Sequence, residues 1–245
     1  MATTQKNDTI IPSEAIQKMF EVGAHFAFTR SRRHPTVAPF IFGVKNRVEI
    51  FDLEKTHPLL EKAEAFVKKL GLEGKQLLFV GGKSEARDAI RQGAQSIDMP
   101  YVSGRWIGGT ISNFKGIRSR ADRFLDLTAK RESGELAKYT KKERLLIDRE
   151  IEKLDRFFSG IISMKSIPDA LFIVDPKHEH IAMTEALKAG IPVIALAGSD
   201  CNLKHVTCPV PGNDSSVGSV TFFVDRMVWA YKEGKNERLK AQATK

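Results

Sequence analysis

The sequence predicts an α/β protein whose mainly parallel sheet carries helices on both faces, with a helical hairpin inserted into the chain. Two observations indicate this fold class. After residue 55, short apolar segments of strand length alternate with amphipathic segments of helix length, which is the order of βαβ units. The stretch 112–164 interrupts that order, because it contains two long amphipathic segments and no strand signal.

The first elements precede the alternating region. Ser13 is expected to cap a short first helix. Phe40–Phe42 and Val48–Phe51 are the predicted strands of a hairpin, since a Gly/Asn turn joins them. Thr56 is expected to cap the next helix, with Pro58 in its first turn.

The remaining body elements follow from apolar runs and helical periodicity. The predicted strands are Gln76–Val80, Tyr101–Val102, Ala170–Val174, Pro192–Leu196 and Val206–Val210. The predicted helices are Ser84–Ile97, Glu179–Ala189 and Ser215–Tyr231. The polar residues that follow Tyr231 are expected to be frayed.

The stretch 114–164 predicts an antiparallel helical hairpin. Glu132–Glu135 is a turn signal, and Thr140 with Glu143 forms a capping-box pattern that starts a new helix. Each half carries a narrow apolar stripe similar to a coiled-coil seam: Phe114, Ile117, Ala121, Phe124 and Leu125, then Ile147, Ile151, Leu154, Phe158 and Ile161. The predicted organisation is an α/β body of residues 1–113 and 165–234, a protruding arm of residues 114–164, and a flexible basic tail of residues 235–245.

The composition excludes several classes of protein. The 245-residue chain has 39 Lys and Arg against 30 Asp and Glu, a formal net charge of +9, which makes polyanions the first partners to consider. Two Cys residues are no disulfide framework and suit a reducing cytoplasm. No apolar run approaches ~18 residues, so no membrane span is expected, and the polar start does not resemble a secretory signal.

Two stretches, 22–48 and 99–121, contain no acidic residue. Solvated helix faces usually mix both signs, so these stretches favour a polyanion-binding surface, with chance clustering in a basic protein as the alternative. The side chains predicted to neutralise RNA phosphates are Arg30, Arg32, Arg33, Lys45, Arg47, Arg105, Lys115, Arg118 and Arg120.

A glycine turn followed by Lys83 and Ser84 resembles a phosphate-binding loop, but the motif fails. The P-loop needs a further glycine at the position of Leu77, so a strand-to-helix turn is the favoured interpretation. An α/β enzyme or binding protein for a phosphorylated small molecule, bound near Gly81–Gly82 and Asp175, stays as the alternative function.

Two sets of residues have metal-ligand chemistry. Asp175, His178 and His180 follow a predicted strand, where α/β sites lie. Cys201, His205 and Cys208 lack an evident fourth ligand, so the thiols are expected to pack as small apolar groups. The sequence predicts neither a metal site nor a catalytic residue, since nucleophile-elbow and paired-carboxylate patterns are not found.

The segment Gly104–Lys115 is the most distinctive of the chain. Its paired glycines permit a close approach of the backbone to a phosphate chain. Arg105 and Lys115 supply positive charge. Trp106 is expected to lie in the core, because a single aromatic side chain usually packs there.

Several segments together resemble bacterial-type small ribosomal subunit protein two. They are His25–Phe26, Pro39–Gly43, Arg105–Thr110 with Asn113–Phe114, Pro168–Pro176, Glu179–Ala182, Gly190–Val193 and Pro211–Asp214, in order between Met19 and Gly234. The resemblance implies a Rossmann-like three-layer sandwich with an inserted hairpin. It implies a structural protein without catalysis or cofactor, bound to rRNA between the head and body of the small subunit. Small-subunit protein one is an expected neighbour.

The sequence departs from the family pattern at several positions. Ala27 and Phe28 replace the usual Gly and His, and Arg33 and His34 replace the usual Trp and Asn. Gly198–Asp200 and Ser215 replace residues that include carboxylates. The changes at Gly198–Asp200 and Ser215 remove carboxylates from the one place where the family could hold a metal. A metal is therefore less expected in this chain.

Overall fold

The computed structural model describes residues 14–243 and begins in helix α1, Glu14–Glu21. The proposed cap Ser13 lies outside the described residues. A small antiparallel sheet follows, with strands β1 (Phe26–Thr29), β2 (Ile41–Lys45) and β3 (Val48–Phe51) in the order β1-β3-β2. The predicted hairpin is confirmed. Strand β1 was not predicted, because its residues are partly or fully exposed and show no alternation of apolar and polar side chains.

The main sheet has five parallel strands. They are β4 (Leu77–Val80), β5 (Tyr101–Val102), β6 (Ala170–Val174), β7 (Val193–Ala197) and β8 (Cys208–Pro211), in the order β5-β4-β6-β7-β8. Every neighbouring pair is parallel. The fold class inferred from the alternation of strands and helices is therefore confirmed.

Helices cover both faces of this sheet. Residues of β4 alternate between two apolar clusters, as the two-residue period of a strand requires: Leu77 and Phe79 lie in one, Leu78 and Val80 in the other. The first cluster includes α2 (Leu53–Glu73), α3 (Ser84–Gln95) and α7 (Val217–Ala243). The second includes α4 (Phe114–Glu132), α5 (Lys141–Phe158) and α6 (His180–Lys188). The result is a three-layer sandwich.

Helix α2 begins earlier than predicted. Asp52 is its N-cap, so Thr56 lies inside the helix rather than at its start. The Thr56 hydroxyl is buried and donates to the carbonyl oxygens of Asp52, at 3.2 Å, and Pro211, at 2.9 Å. The polar side chain that resembled a cap thus connects the first turn of α2 to the end of β8.

Helix α7 continues to Ala243, which corrects the predicted end at Tyr231 and the predicted flexible tail of residues 235–245 as far as residue 243; residues 244–245 lie outside the described part of the chain. Polar sequence suggested fraying, but helix α2 supplies partners for this part of the chain. The Lys68 ammonium lies 3.2 Å from a carboxylate oxygen of Glu233 and 2.6 Å from one of Glu237. A Cβ on Gly234 would overlap the Lys68 carbonyl oxygen, so glycine allows the two helices to cross closely.

The hairpin forms as predicted, and the capping box at Thr140 and Glu143 is confirmed. Its packing differs from that of a free arm. The side chains that share the second apolar cluster with the sheet are Ile117, Ala121, Phe158, Ile161 and Met164. Of the predicted stripe, Leu125 is 42% exposed. The base of the hairpin therefore belongs to the body, because it covers a sheet face, and the protruding part is shorter than 114–164.

Candidate nucleic-acid interface

Glu185 on α6 organises the distinctive loop that precedes α4. One carboxylate oxygen accepts hydrogen bonds from the backbone N–H of Gly109, at 2.6 Å, and from the Trp106 indole, at 3.4 Å. The other accepts from the backbone N–H groups of Ile111 and Ser112, at 2.9 and 3.2 Å. A single side chain thus fixes the path of the loop.

The charge of Glu185 suits this role. Burial raises the pKa of the Glu185 carboxyl, but the N–H donors of Gly109, Ile111, Ser112 and Trp106 favour the ionised form and hold the pKa below its ordinary value of 4.5. Trp106 is 4% exposed, which confirms that it is a core residue rather than a stacking platform.

The cations predicted from the first acid-free stretch fall into two groups. Arg33 lies 2.9 Å from a carboxylate oxygen of Glu49, whose side chain is 1% exposed. Arg32 lies 3.2 Å from Asp200 and 4.0 Å over the Phe28 ring. Both arginines therefore have contacts within the fold, although the Arg32 side chain stays 55% exposed.

The other three predicted cations of this stretch point outward. Arg30 is exposed in a short 3-10 helix, Arg30–Arg32. Lys45 and Arg47 are exposed at the hairpin turn, where Arg47 adopts a φ of 66°. These side chains stay available to an anionic partner.

The second acid-free stretch divides in the same way. Arg118 donates to the carbonyl oxygens of Ile162, at 2.6 Å, and Met164, at 2.9 Å, and pairs with Asp122. It therefore joins the two ends of the hairpin. The exposed cations are Arg105, Lys115 and Arg120.

A groove runs along the base of the hairpin, and we call it the arm-base groove. It consists of two cavities, of about 290 and 370 Å³, which share Arg105 and Phe157 as lining residues. Its basic side chains are Arg87, Arg105, Arg120, Lys153 and Arg156. Arg105 and Arg120 were predicted; the other three were not.

The missed cations had a weak sequence signal. Lys153 and Arg156 are three residues apart on α5, a spacing that places side chains on the same helix face. Acidic residues lie between and beside them in the sequence, so a count of local charge conceals the basic face. Arg87 belongs to α3, and only the tertiary fold brings it to the groove.

The glycine turn after β4 is already occupied by carboxylates. The backbone N–H of Gly82 donates to Glu179 at 3.0 Å. Lys83 lies 2.5 Å from Asp175 and 3.2 Å from Asp214. These contacts engage the Gly82 N–H and the Lys83 ammonium with carboxylates of the fold, which argues against the small-molecule alternative.

Neither of the two sets of residues with metal-ligand chemistry comes together as a cluster among residues 14–243. Within residues 14–243, the ligand atoms found within 4.8 Å of one another belong to Asp175, Cys201 and Asp214. The Lys83 ammonium lies close to the carboxylates of both Asp175 and Asp214. The pKa values of the two carboxyl groups nevertheless shift in opposite directions. Burial raises the pKa of Asp214, whereas at Asp175 burial is outweighed by Lys83 and the pKa is lowered. Burial also raises the pKa of the Cys201 thiol. A protonated thiol and a resident ammonium do not fit a divalent cation.

A comparison with known protein families identifies the family to which this chain belongs. The family described as "Ribosomal protein S2" matches residues 19–234. The chain belongs to the ribosomal protein S2 family. It is also 40% identical over 223 residues to the "Small ribosomal subunit protein uS2" of Coprothermobacter proteolyticus, across 91% of this chain and 83% of that protein. The resemblance inferred from the motifs is confirmed.

Membership determines the broad function. The family is structural rather than enzymatic, so the chain is a structural constituent of the small ribosomal subunit, with rRNA and other ribosomal proteins around it. In the part of the chain that the structure describes, no helix has the length and apolar character to cross a membrane.

Proposed function

We propose that the chain binds small-subunit rRNA between the head and the body of the subunit and so supports translation. The contacts are mainly to phosphates, which position a protein without reading bases. Small-subunit protein one is a neighbour in this assembly, and the ribosomes that contain the chain are cytoplasmic.

The observation that carries the proposal is the exposure of cations that form no ion pair with an acid among residues 14–243, together with family membership. Lys45, Arg47, Arg105, Lys115 and Arg120 are all exposed, on a chain of net charge +9. Such charges attract a phosphate chain and release its condensed counterions on binding.

The test combines sedimentation with a salt titration. In a density gradient of a lysate, the chain should travel with small subunits. The logarithm of its affinity for a small-subunit rRNA transcript should fall with log salt by ~0.7–0.9 for each phosphate neutralised. Absence from small-subunit fractions, or a flat salt dependence, would contradict the proposal.

A further inference from the structure

We propose that the arm-base groove holds the sugar–phosphate backbone of an RNA strand, which crosses from α4 past the loop at Arg105 to α3. This inference rests on the proposed function and adds the place of contact, including three residues that no sequence pattern had indicated. Arg87, Lys153 and Arg156 become part of the interface.

The shape of the groove suits an extended ligand. Arg105, Arg120 and Lys153 line one cavity, and Arg87, Arg105 and Arg156 line the other. Because the two cavities share Arg105 and Phe157 but no other residue, the cations are spread over both cavities rather than gathered in one. A single phosphate would need convergent donors, whereas a polynucleotide presents a charge at each nucleotide.

The charge of the groove is not balanced from within. No carboxylate lines either cavity. Among residues 14–243, Arg105, Arg120, Lys153 and Arg156 form no ion pair, whereas Arg118 and Arg123 on α4 pair with Asp122 and Glu150. Like charges that gather without counter-charges repel one another, and a polyanion removes that repulsion.

The chemistry of the lining suits contacts to phosphates rather than to adenine or cytosine edges. Asn, Gln, Asp and Glu, the side chains that read adenine and cytosine edges, are not among the lining residues. The apolar side chains of the lining are Trp106, Ile107, Leu154, Phe157 and Phe158, and Ser103, Gly104 and Gly108 complete it. The Arg87 guanidinium donates to the Ser103 carbonyl oxygen at 3.2 Å, which fixes one cation at the end of the groove.

The experiment compares two double variants, each of which removes two positive charges from the chain. Lys153→Ala with Arg156→Ala removes two cations of the groove. Lys62→Ala with Lys69→Ala removes two exposed cations of α2, on the opposite layer of the sandwich. All four positions are exposed, so we expect the melting temperatures of both free proteins to stay close to that of the unmodified chain.

Binding to a small-subunit rRNA transcript separates the outcomes. The groove variant should lower the slope of log affinity against log salt by ~1.4–1.8, since two phosphate contacts are lost, and the α2 variant should keep the full slope. If the unmodified chain binds with a steep slope and both variants match it, the groove proposal is overturned and the proposed function stands.

Two further outcomes are informative. If the unmodified chain itself shows no salt dependence, the proposed function fails with the groove. If the groove variant enters small subunits poorly but keeps the full salt slope on rRNA, the groove binds an acidic protein segment, which also overturns the proposal.

Discussion

The two acid-free stretches look equivalent in sequence but serve different purposes in the fold. Two of the arginines in residues 22–48, Arg32 and Arg33, pair with Asp200 and Glu49. In residues 99–121, Arg105 and Arg120 form no ion pair within the described part of the chain and open into the arm-base groove. Part of the first stretch thus helps to hold the fold together, while its remaining predicted cations, Arg30, Lys45 and Arg47, stay exposed. In the second stretch, the two arginines without an ion pair line a groove and present their charge to a partner.

The difference between the two stretches arises from acidic residues that lie outside them in the sequence, which a count of local charge does not include. Glu49 lies just beyond the first stretch, on β3, and Asp200 lies far along the chain after β7. Folding brings both acids to the arginines. In the second stretch, Arg118 is the one cation that pairs with an acid of the described residues, Asp122. Most of the charge that is visible in this stretch of sequence therefore stays unpaired in the folded protein.

The largest effect is expected from deleting the hairpin, which carries the wall of the groove. Replacing residues 114–164 by a short Gly linker removes side chains such as Ile117 and Phe158 from the sheet face, each worth about 1.5–3 kcal/mol of burial. We expect no cooperative thermal unfolding of this variant.

The matched control removes only the distal part. Arg123 pairs with Glu150 across the hairpin at 2.8 Å, so residues 127 and 146 lie opposite one another farther out. Replacing residues 127–146 by the same linker should leave a cooperative melt. A cooperative melt of the larger deletion would show that the body folds without the base of the hairpin, and this would contradict the packing argument.

The next effect concerns the first stretch. Arg33→Glu places a carboxylate against Glu49, whose second carboxylate oxygen already lacks a partner among the described residues. We expect a loss of about 3–5 kcal/mol in the free energy of unfolding, because a buried charge loses its counter-charge. Arg30→Glu makes the same charge change at an exposed position and should cost less than about 0.5 kcal/mol. Equal stability of the two variants by urea denaturation would refute the distinction.

A smaller effect is expected from Glu185→Gln. The amide replaces one accepting oxygen by a donor that faces the N–H groups of Ile111 or Gly109, so we expect a loss of about 1–3 kcal/mol in unfolding free energy at pH 7. The folded pKa of Glu185 lies below 4.5. The stabilisation by this carboxylate is therefore complete above that pH and is lost as the pH falls through the folded pKa.

Urea denaturation at pH 7 and again at pH 4 and below measures this difference. The gap between the unmodified chain and the Gln variant should narrow in acid. A gap that stays constant with pH would mean that the carboxylate does not hold the loop in its ionised form.

Much of the fold could be predicted because period and capping are local signals. The strand Ala170–Val174 and the capping box at Thr140 are found where the sequence places them. The start of α2 and the end of α7 could not be predicted in this way, because Thr56 donates a hydrogen bond to Pro211 and Lys68 pairs with Glu237. Those partners are distant in sequence.

The candidate site was predictable only in part. Exposed cations such as Arg105 and Arg120 were found because an acid-free stretch survives folding when no distant acid approaches it. Arg156 was hidden by the acidic residues close to it in the sequence, Glu152 and Asp155. The role of Glu185 gave no signal, since its four N–H donors lie on a loop that precedes it by more than seventy residues.

The most direct test of this account is a competition during assembly of small subunits. The chain carrying Arg105→Ala and Arg120→Ala is mixed with an equal amount of the unmodified chain, and the ratio of the two in purified small subunits is measured by mass spectrometry. We expect the variant to be depleted about tenfold, equivalent to about 1.4 kcal/mol of lost binding, with an unchanged melting temperature of the free protein. Equal incorporation would contradict the claim that the open cations of the second stretch bind the rRNA.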